Sequence, residues 1–382
     1  MKQVTVIGTG MTKFGTLADK SLKQLLLEAS FQALKEASFP KIDAVFIGNF
    51  MSGALANQEI LGSLIAHDLG LGPIPTVKME GACASGGIAF RHACEMIEAG
   101  IYDTVLVAGG EKMKHAQSDV VMQAINAAMD TDSNEKKAGL SFPGFFGILA
   151  NRYFYETEAS KKHLALVALK NREYARNNPN AQYRDPATLD EIMNARMITE
   201  PLGLFDCSPI TDGAAAIVLT RGDKGISVIA SSQASGPTQA QEVEDLLTIS
   251  AINQSASMAY EQAGLGPDDI DVIELHDCFS MTEILAIEAL GLAKRGEGWK
   301  LIEAEQTKHG GKVPVNTSGG LLSRGHPIGA TGLAQIYQVV QQLRGTACNQ
   351  VEGARIALAQ NLGGTGSYST VHIFTGIVKS SM

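Results

Sequence analysis

Four short segments carry the residue types that suit covalent chemistry on a carbonyl. Glu80-Gly81-Ala82-Cys83-Ala84-Ser85-Gly86-Gly87 places a thiol where a helix is expected to begin, among small residues. Free amides at a helix N-terminus stabilise a thiolate and bind an oxyanion. Cys83 is therefore a candidate nucleophile; read by itself it fits a small buried hydrophobe equally well. Glu274-Leu275-His276-Asp277-Cys278-Phe279-Ser280 lies at the end of an expected strand, where α/β folds place their sites. His276 and Cys278 alternate with Asp277, so an extended backbone turns them the same way. The glycine-rich run Ser318–Gly332 ends at an expected helix and carries one imidazole, His326, suited to act as general base toward Cys83. Asn361-Leu362-Gly363-Gly364-Thr365-Gly366 has no titratable group, and its amides suit an oxyanion; the plain alternative is a tight turn. The Ser318–Gly332 run fits neither a Walker loop nor a dinucleotide fingerprint.

The elements that must position these groups alternate between strands and helices. Strands are expected at Val4–Gly8, Ile42–Ile47 and Thr104–Ala108, with helices at Ser21–Ala37 and Ala84–Ala99. The order returns in strands at Ile226–Ala230, Asp271–Leu275 and Arg355–Ala359 and helices at Ala251–Gly264 and Ala330–Leu343. Ala84-Ser85-Gly86 matches Ala330-Thr331-Gly332, and the Val105 and Ile356 strands match as well. Two duplicated α/β halves with a largely parallel sheet are expected. The bounds are 1–110 for the N-terminal half, 111–205 for an inserted loop or lid region, 206–222 for the last strand of that half, and 223–382 for the C-terminal half. The insert mixes Met113, Met122, Met129 and aromatic residues with Lys161, Lys162, Lys170, Arg172, Arg176 and Arg184. It suits a lid over a long, anionic, partly apolar ligand, or a solvated helical subdomain.

Composition narrows the class. Of 382 residues, 45% are apolar and 19% charged, which excludes a disordered polyelectrolyte. Forty acidic against 31 basic residues argue against nucleic acid as a partner. Five scattered cysteines without a CxxC pair point away from a zinc ribbon or a disulfide framework, and no metal is expected. The first residues lack the apolar stretch of a signal peptide, and no apolar run approaches the roughly 18 residues of a membrane span. A cytoplasmic protein is expected.

Together, in order and spacing over nearly the whole chain, the Cys83 segment, His276-Asp277-Cys278-Phe279, Gly325-His326-Pro327 and the last glycine turn resemble the thiolase superfamily. The likeness is strongest to its sterol-carrier-protein-type and archaeal-type acetoacetyl-CoA members. The resemblance implies a five-layer α-β-α-β-α fold with an inserted helical loop domain. It also implies acyl transfer between CoA and a 3-oxoacyl-CoA, either acetoacetyl-CoA or a bulkier aromatic or dicarboxylic one. Cys83 would take the acyl group and His326 its proton. His276 would complete one oxyanion hole, and the amides of Cys83 and Gly363 would form a second. Many thiolases carry an acid/base cysteine where this chain has Asn361, and Cys278 is its expected substitute. Phe279 and Ser318 are expected to contact CoA, which is a substrate; no cofactor is implied, and the groups that hold its phosphates are not assigned. The resemblance further implies a homodimer or homotetramer and a small OB-fold/zinc-ribbon partner. Two alternatives stay open: a carbon–carbon lyase (retro-aldolase) on a CoA thioester, and a non-catalytic acyl-CoA or lipid-binding protein.

Overall fold

Ser21 illustrates how locally some elements are specified. Its hydroxyl accepts the Gln24 amide at 3.2 Å, and the Gln24 side chain accepts the Ser21 amide at 2.8 Å. This reciprocal cap starts helix α1 (Leu22–Glu36) and contributes about 1 kcal/mol. The structure, a computed structural model, describes residues 3–376. Its first half runs β1 (Val4–Met11), α1, β2 (Ala44–Gly48), α2 (Ser52–Ala56), α3 (Leu61–Asp68), β3 (Thr76–Met79), α4 (Ser85–Glu98) and β4 (Thr104–Glu111). The intervening region carries α5 (Ser118–Asn126), α6 (Asn134–Lys137), α7 (Phe142–Glu156), α8 (Lys161–Ala175), α9 (Leu189–Met193) and a small hairpin, β5 (Met197–Thr199) with β6 (Leu202–Gly203). The strand β7 (Gly213–Arg221) then returns to the first half. The second half runs β8 (Ile226–Ser235), α10 (Ser250–Ala263), β9 (Val272–Glu274), α11 (Ser280–Ala289), α12 (Gly298–Glu303), α13 (Thr331–Arg344), β10 (Ile356–Gly363) and β11 (Tyr368–Thr375).

Among the described residues the strands hydrogen-bond in the order β3-β2-β4-β7-β1-β8-β11-β10-β9. The duplication is explicit in this order. Reading outward from the centre, β1-β7-β4-β2-β3 is answered by β8-β11-β10-β9, with a parallel bridge from Ile273 to Val315 where the counterpart of β3 would lie. The halves meet edge to edge over Val4↔Val228, Thr5↔Ser227 and Val6↔Ile226. The expectation of a largely parallel sheet is corrected. Only β2–β3, β2–β4 and β9–β10 pair parallel. The other pairs are antiparallel. Strands covered on both faces read as continuous apolar runs in either direction, so the pattern does not report direction.

Three apolar clusters fill the five layers. Leu25, Leu26 and Ala33 of α1 and Ile65 of α3 cover one face of the first sheet at Ile47, Leu106 and Val218. Phe90 and Ile97 of α4 and Leu333, Ile336 and Val339 of α13 form the middle layer, against Val107 and Ile217 on one side and Ala357 and Phe374 on the other. Helices α10, α11, α7 and α8 cover the outer face of the second sheet at Leu358, Val371 and Ile373. Phe90 is fully buried, and its truncation to alanine would cost about 3–5 kcal/mol. The two central helices begin close together. A methyl group added at Gly86 would lie 2.8 Å from the Gly329 carbonyl oxygen, so only glycine permits this approach. That contact brings the Cys83 and His326 segments, one from each half, to the same place.

Candidate active site

Cys83 sits in a one-turn 3₁₀ helix, Ala82–Ala84, that runs directly into α4. Ala82 has φ +50°, a left-handed conformation that a β-carbon disfavours. The turn is held by Ser85, whose hydroxyl donates to the Ala82 carbonyl at 2.6 Å and accepts the Gly81 amide at 3.0 Å. The result is a thiol projected at the mouth of a helix, partly exposed in an otherwise buried turn.

Three elements from the second half meet it. His276 follows β9, and its main-chain amide donates to the Gln360 side chain at 3.0 Å. His326 follows a distorted turn, Gly320–Arg324; its amide donates to the Thr211 hydroxyl at 3.0 Å, and Ile210 bridges to it. The glycine turn after β10 lies against the Cys83 loop, since a methyl group at Gly363 would be 2.3 Å from the Gly81 carbonyl oxygen. The thiol of Cys83 and a ring nitrogen from each of His276 and His326 all lie within 4.8 Å of one another. These are also the atoms that a metal ion would meet. The two rings stand edge to face with centroids 5.1 Å apart.

The alternation in His276-Asp277-Cys278 holds. His276 and Cys278 line a cavity of about 870 Å³ together with Cys83, His326, Phe279 and Gly364. Asp277 points away, accepting the amides of Leu321 at 2.7 Å and Leu322 at 3.3 Å and the Asn171 side chain at 2.7 Å. It thereby fixes the backbone that leads into His326. Phe279 stacks on Phe146 with ring centroids 4.6 Å apart. Ser318 does not line the cavity. Its hydroxyl donates to buried Glu274 at 2.5 Å and accepts from Arg324 at 3.2 Å, inside the network beneath the site.

Burial keeps the site's ionisable groups neutral at rest. It pushes the Cys83 thiol well up, with nearby Cys278 and Glu111 adding to the rise and the amides of Gly364 and Cys83 opposing it. Burial pushes the Cys278 thiol up to about 12. His326 is brought down to about 3 by burial and then by the Arg324 guanidinium. His276 is lowered too, by burial, then by His326 and Arg324. A neutral imidazole beside a neutral thiol can take the proton as the sulfur attacks, so charge appears only when the reaction needs it.

Several site residues were not visible in the sequence. Gly364, one position beyond Gly363 and at φ +63°, lines the cavity with Cys83, and its amide opposes the rise in the thiol pKa; two adjacent glycines look alike until backbone angles separate them. Glu111 lies behind both motifs and accepts the Gly329 amide at 3.0 Å. The insert, expected above as a lid or a solvated subdomain, does contribute to the lining, through Met113, Met122, Phe142 and Arg172. The guanidinium of Arg172 lies between the rings of Tyr183 and Phe205, at 4.8 and 5.0 Å. Lys170, also counted among the insert's basic residues, is instead buried against Glu283 at 2.6 Å.

Comparison with known proteins gives the family. Residues 4–223 match the family description "Thiolase, N-terminal domain", and residues 232–376 match "Thiolase C-terminal domain-like". The chain belongs to the thiolase family and is an acyltransferase of that family. It is 44% identical to an acetyl-CoA acetyltransferase of Methanothermobacter thermautotrophicus, over 98% of this chain and all of that one. It is 35% identical to human sterol carrier protein 2, over 95% of this chain and 70% of that one. The solved structure titled "Ltp2-ChsH2(DUF35) aldolase" superposes with a TM-score of 0.85 at 25% identity, covering 99% of this chain and 98% of that one. No described helix is long and apolar enough to cross a membrane.

Proposed function

We propose that the protein transfers an acyl group between CoA and a 3-oxoacyl-CoA through a thioester on Cys83. The observation that carries this is the convergence of one thiol and two neutral imidazoles within 4.8 Å in a cavity of about 870 Å³. In the cleavage direction the Cys83 sulfur attacks the 3-oxo carbon and its proton passes to His326. The tetrahedral oxygen faces the amides of Cys83 and the Gly363-Gly364 turn. The bond between C2 and C3 then breaks. Its electron pair moves to C2 and the thioester carbonyl as an enolate, whose oxygen accepts from His276 and protonated His326. Cys278 delivers its proton to C2, leaving a thiolate, and the acyl-CoA built on C1 and C2 departs. A CoA thiol gives its proton to the Cys278 thiolate and attacks the acyl-Cys83; the Cys83 sulfur leaves, taking its proton back from His326, and the shortened acyl-CoA is released. Condensation is the reverse. The scheme uses this chain's side chains and main-chain amides with CoA.

The proposed substrate is either acetoacetyl-CoA or a bulkier aromatic or dicarboxylic 3-oxoacyl-CoA. The apolar lining by Met113, Ile125, Phe142 and Ile328 supports the larger end. Phe279 is proposed to flank the thioester arm of CoA, and the protein to act in the cytoplasm as a homodimer or homotetramer. We further propose a small OB-fold/zinc-ribbon partner at the cavity mouth. Support comes from half-exposed Leu204, Ile198 and Tyr183 at that rim and from the partnered structure named above.

The test is intact and peptide mass spectrometry after mixing the protein with acetyl-, acetoacetyl-, succinyl- and benzoyl-CoA, followed by a chase with free CoA. The expected result is an adduct on Cys83 that CoA discharges, its mass reporting the acyl group. Absence of any adduct, with the partner added back, would overturn the acyl-enzyme and favour the lyase.

A further inference from the structure

His276 and His326 have the same chemical form and neighbouring places, yet the thiolase scheme asks one to donate a hydrogen bond and the other to accept a proton. A neutral imidazole carries one N–H and one lone pair, and the partner of Nδ1 decides which is at Nε2. The two rings have opposite partners. Nδ1 of His276 lies 3.0 Å from Nδ2 of Asn361, an amide nitrogen that can only donate. Nδ1 of His326 lies 2.6 Å from the Thr331 hydroxyl oxygen, and the Pro327 carbonyl, which can only accept, lies 3.2 Å from the same oxygen. A hydroxyl that gives its one proton to that carbonyl accepts from Nδ1.

We propose that Asn361 and Thr331 lock the two imidazoles in opposite tautomers: His276 presents Nε2–H as a fixed donor, and His326 presents an Nε2 lone pair as a fixed base. Asn361 is the positioning residue that defines the first of these. What the donor does in catalysis rests on the thiolase reading; the tautomers themselves do not.

The orientation of the Asn361 amide follows from what surrounds it. Its Oδ1 is buried and has no hydrogen-bond partner among the described residues. It packs on the Cα atoms of two glycines: a methyl group built at Gly332 would lie 2.3 Å from it, and one at Gly87 3.1 Å. Turning the amide over would push its two N–H donors against this carbon surface. The nearby Thr370 hydroxyl is also without a partner and does not pair with the amide. Stranding an NH₂ group costs more than leaving one acceptor unmet. The neighbouring residue reinforces the grip, because Gln360 holds the His276 main chain while Asn361 holds its ring. Both glycines are therefore needed beside Asn361. The polar side chain that replaces an acid/base cysteine here gains a different task.

The test is ¹⁵N NMR on the full-length protein labelled at histidine, with His276 and His326 assigned by comparison with His276→Asn and His326→Asn. The expected spectrum has His276 unprotonated at Nδ1 and protonated at Nε2, and His326 the reverse. Asn361→Asp, whose carboxylate only accepts, should move the His276 proton to Nδ1. It should then lower kcat for 3-oxoacyl-CoA cleavage by about 10²- to 10³-fold, the usual effect of losing one oxyanion donor. KM and acylation of Cys83 by a simple acyl-CoA should change little. Asn361→Ala leaves the ring free to choose and should lose less than the isosteric Asp variant. A merely structural role would give the opposite order. A wild-type His276 protonated at Nδ1 would overturn the inference whether or not the enzyme cleaves 3-oxoacyl-CoA, and it decides the matter even if a variant misfolds. The proposed tautomers in a chain that never acylates Cys83 would overturn the functional reading instead.

Discussion

The Glu111 carboxylate, at the end of β4 in the first half, accepts the Gly329 amide of the second half at 3.0 Å, three residues past His326. The same carboxylate accepts the Asn49 side chain at 2.8 Å and the amides of Phe50 at 3.2 Å and Met51 at 3.0 Å. Both oxygens are thus occupied by donors, although burial raises its pKa to about 7. In Glu111→Gln an NH₂ group must face two N–H donors in either orientation. The expected outcome is a loss of about 1–3 kcal/mol, read by urea denaturation. A fall in kcat should accompany it, because the His326 segment loses its anchor to the Cys83 half. Unchanged stability with full activity would count against this anchoring.

The left-handed Ala82 makes the thiol turn sensitive to side-chain shape. Ala82→Gly should keep acylation by acyl-CoA within a few-fold of wild type. Ala82→Val places a β-branched residue at φ +50°, strain on the order of 1–3 kcal/mol. It should lose most of its acylation rate while remaining folded by circular dichroism. Equal acylation rates in the two variants would remove backbone strain from the account of the nucleophile.

Cys278 lines the same cavity as Cys83, and its thiol is held protonated by burial. Cys278→Ala should still form an acyl-Cys83 from a simple acyl-CoA yet lose cleavage of a 3-oxoacyl-CoA by about 10²- to 10⁴-fold, the usual range for removing a general acid/base. If cleavage persists at the wild-type rate, the proton on C2 comes from another group.

Stability should fall on the acid side through buried imidazoles. His372 of β11 is brought down to about 3, chiefly by burial, and its Nδ1 lies 2.9 Å from the Ser231 hydroxyl. His326 is lowered similarly. Between pH 6.5 and about 3 the unfolded chain binds these protons and the folded one does not. Stability therefore rises with pH across that window and drops on acidification, by a few kcal/mol per histidine at most, on the order that linkage gives. His372→Gln, remote from the thiol, should flatten the dependence of the urea midpoint on pH between 6.5 and 4. An unchanged slope would mean that His372 titrates freely in the folded state.

Much of the fold was legible because its signals are local. The helices expected at Ser21–Ala37 and Ala251–Gly264 form at Leu22–Glu36 and Ser250–Ala263, because apolar spacing and the strand-to-helix alternation depend on neighbours within a few residues. Strand direction was not legible, because β7 and β11 are covered on both faces and carry no alternation to read. In the site, Cys83, His276, Cys278 and His326 stood out because reactive side chains in small, glycine-rich settings are conspicuous. Glu111, Thr211 and Thr331 did not, since hydroxyls and carboxylates are common and gain meaning only from what they touch. The insert's six basic residues could not be sorted for the same reason: Lys170 is buried against Glu283, whereas Arg172 lines the cavity.

By itself, then, the sequence determined which groups could react and that two similar α/β halves would carry them, because side-chain chemistry and element periodicity are written residue by residue. The tertiary structure alone decided which groups meet. It decided that Gly364 lines the cavity with Cys83, and that one imidazole meets the Asn361 amide while the other meets the Thr331 hydroxyl. Those outcomes depend on distances between segments from 83 to 364, and such distances exist only after the middle helices have packed at Gly86 and Gly329.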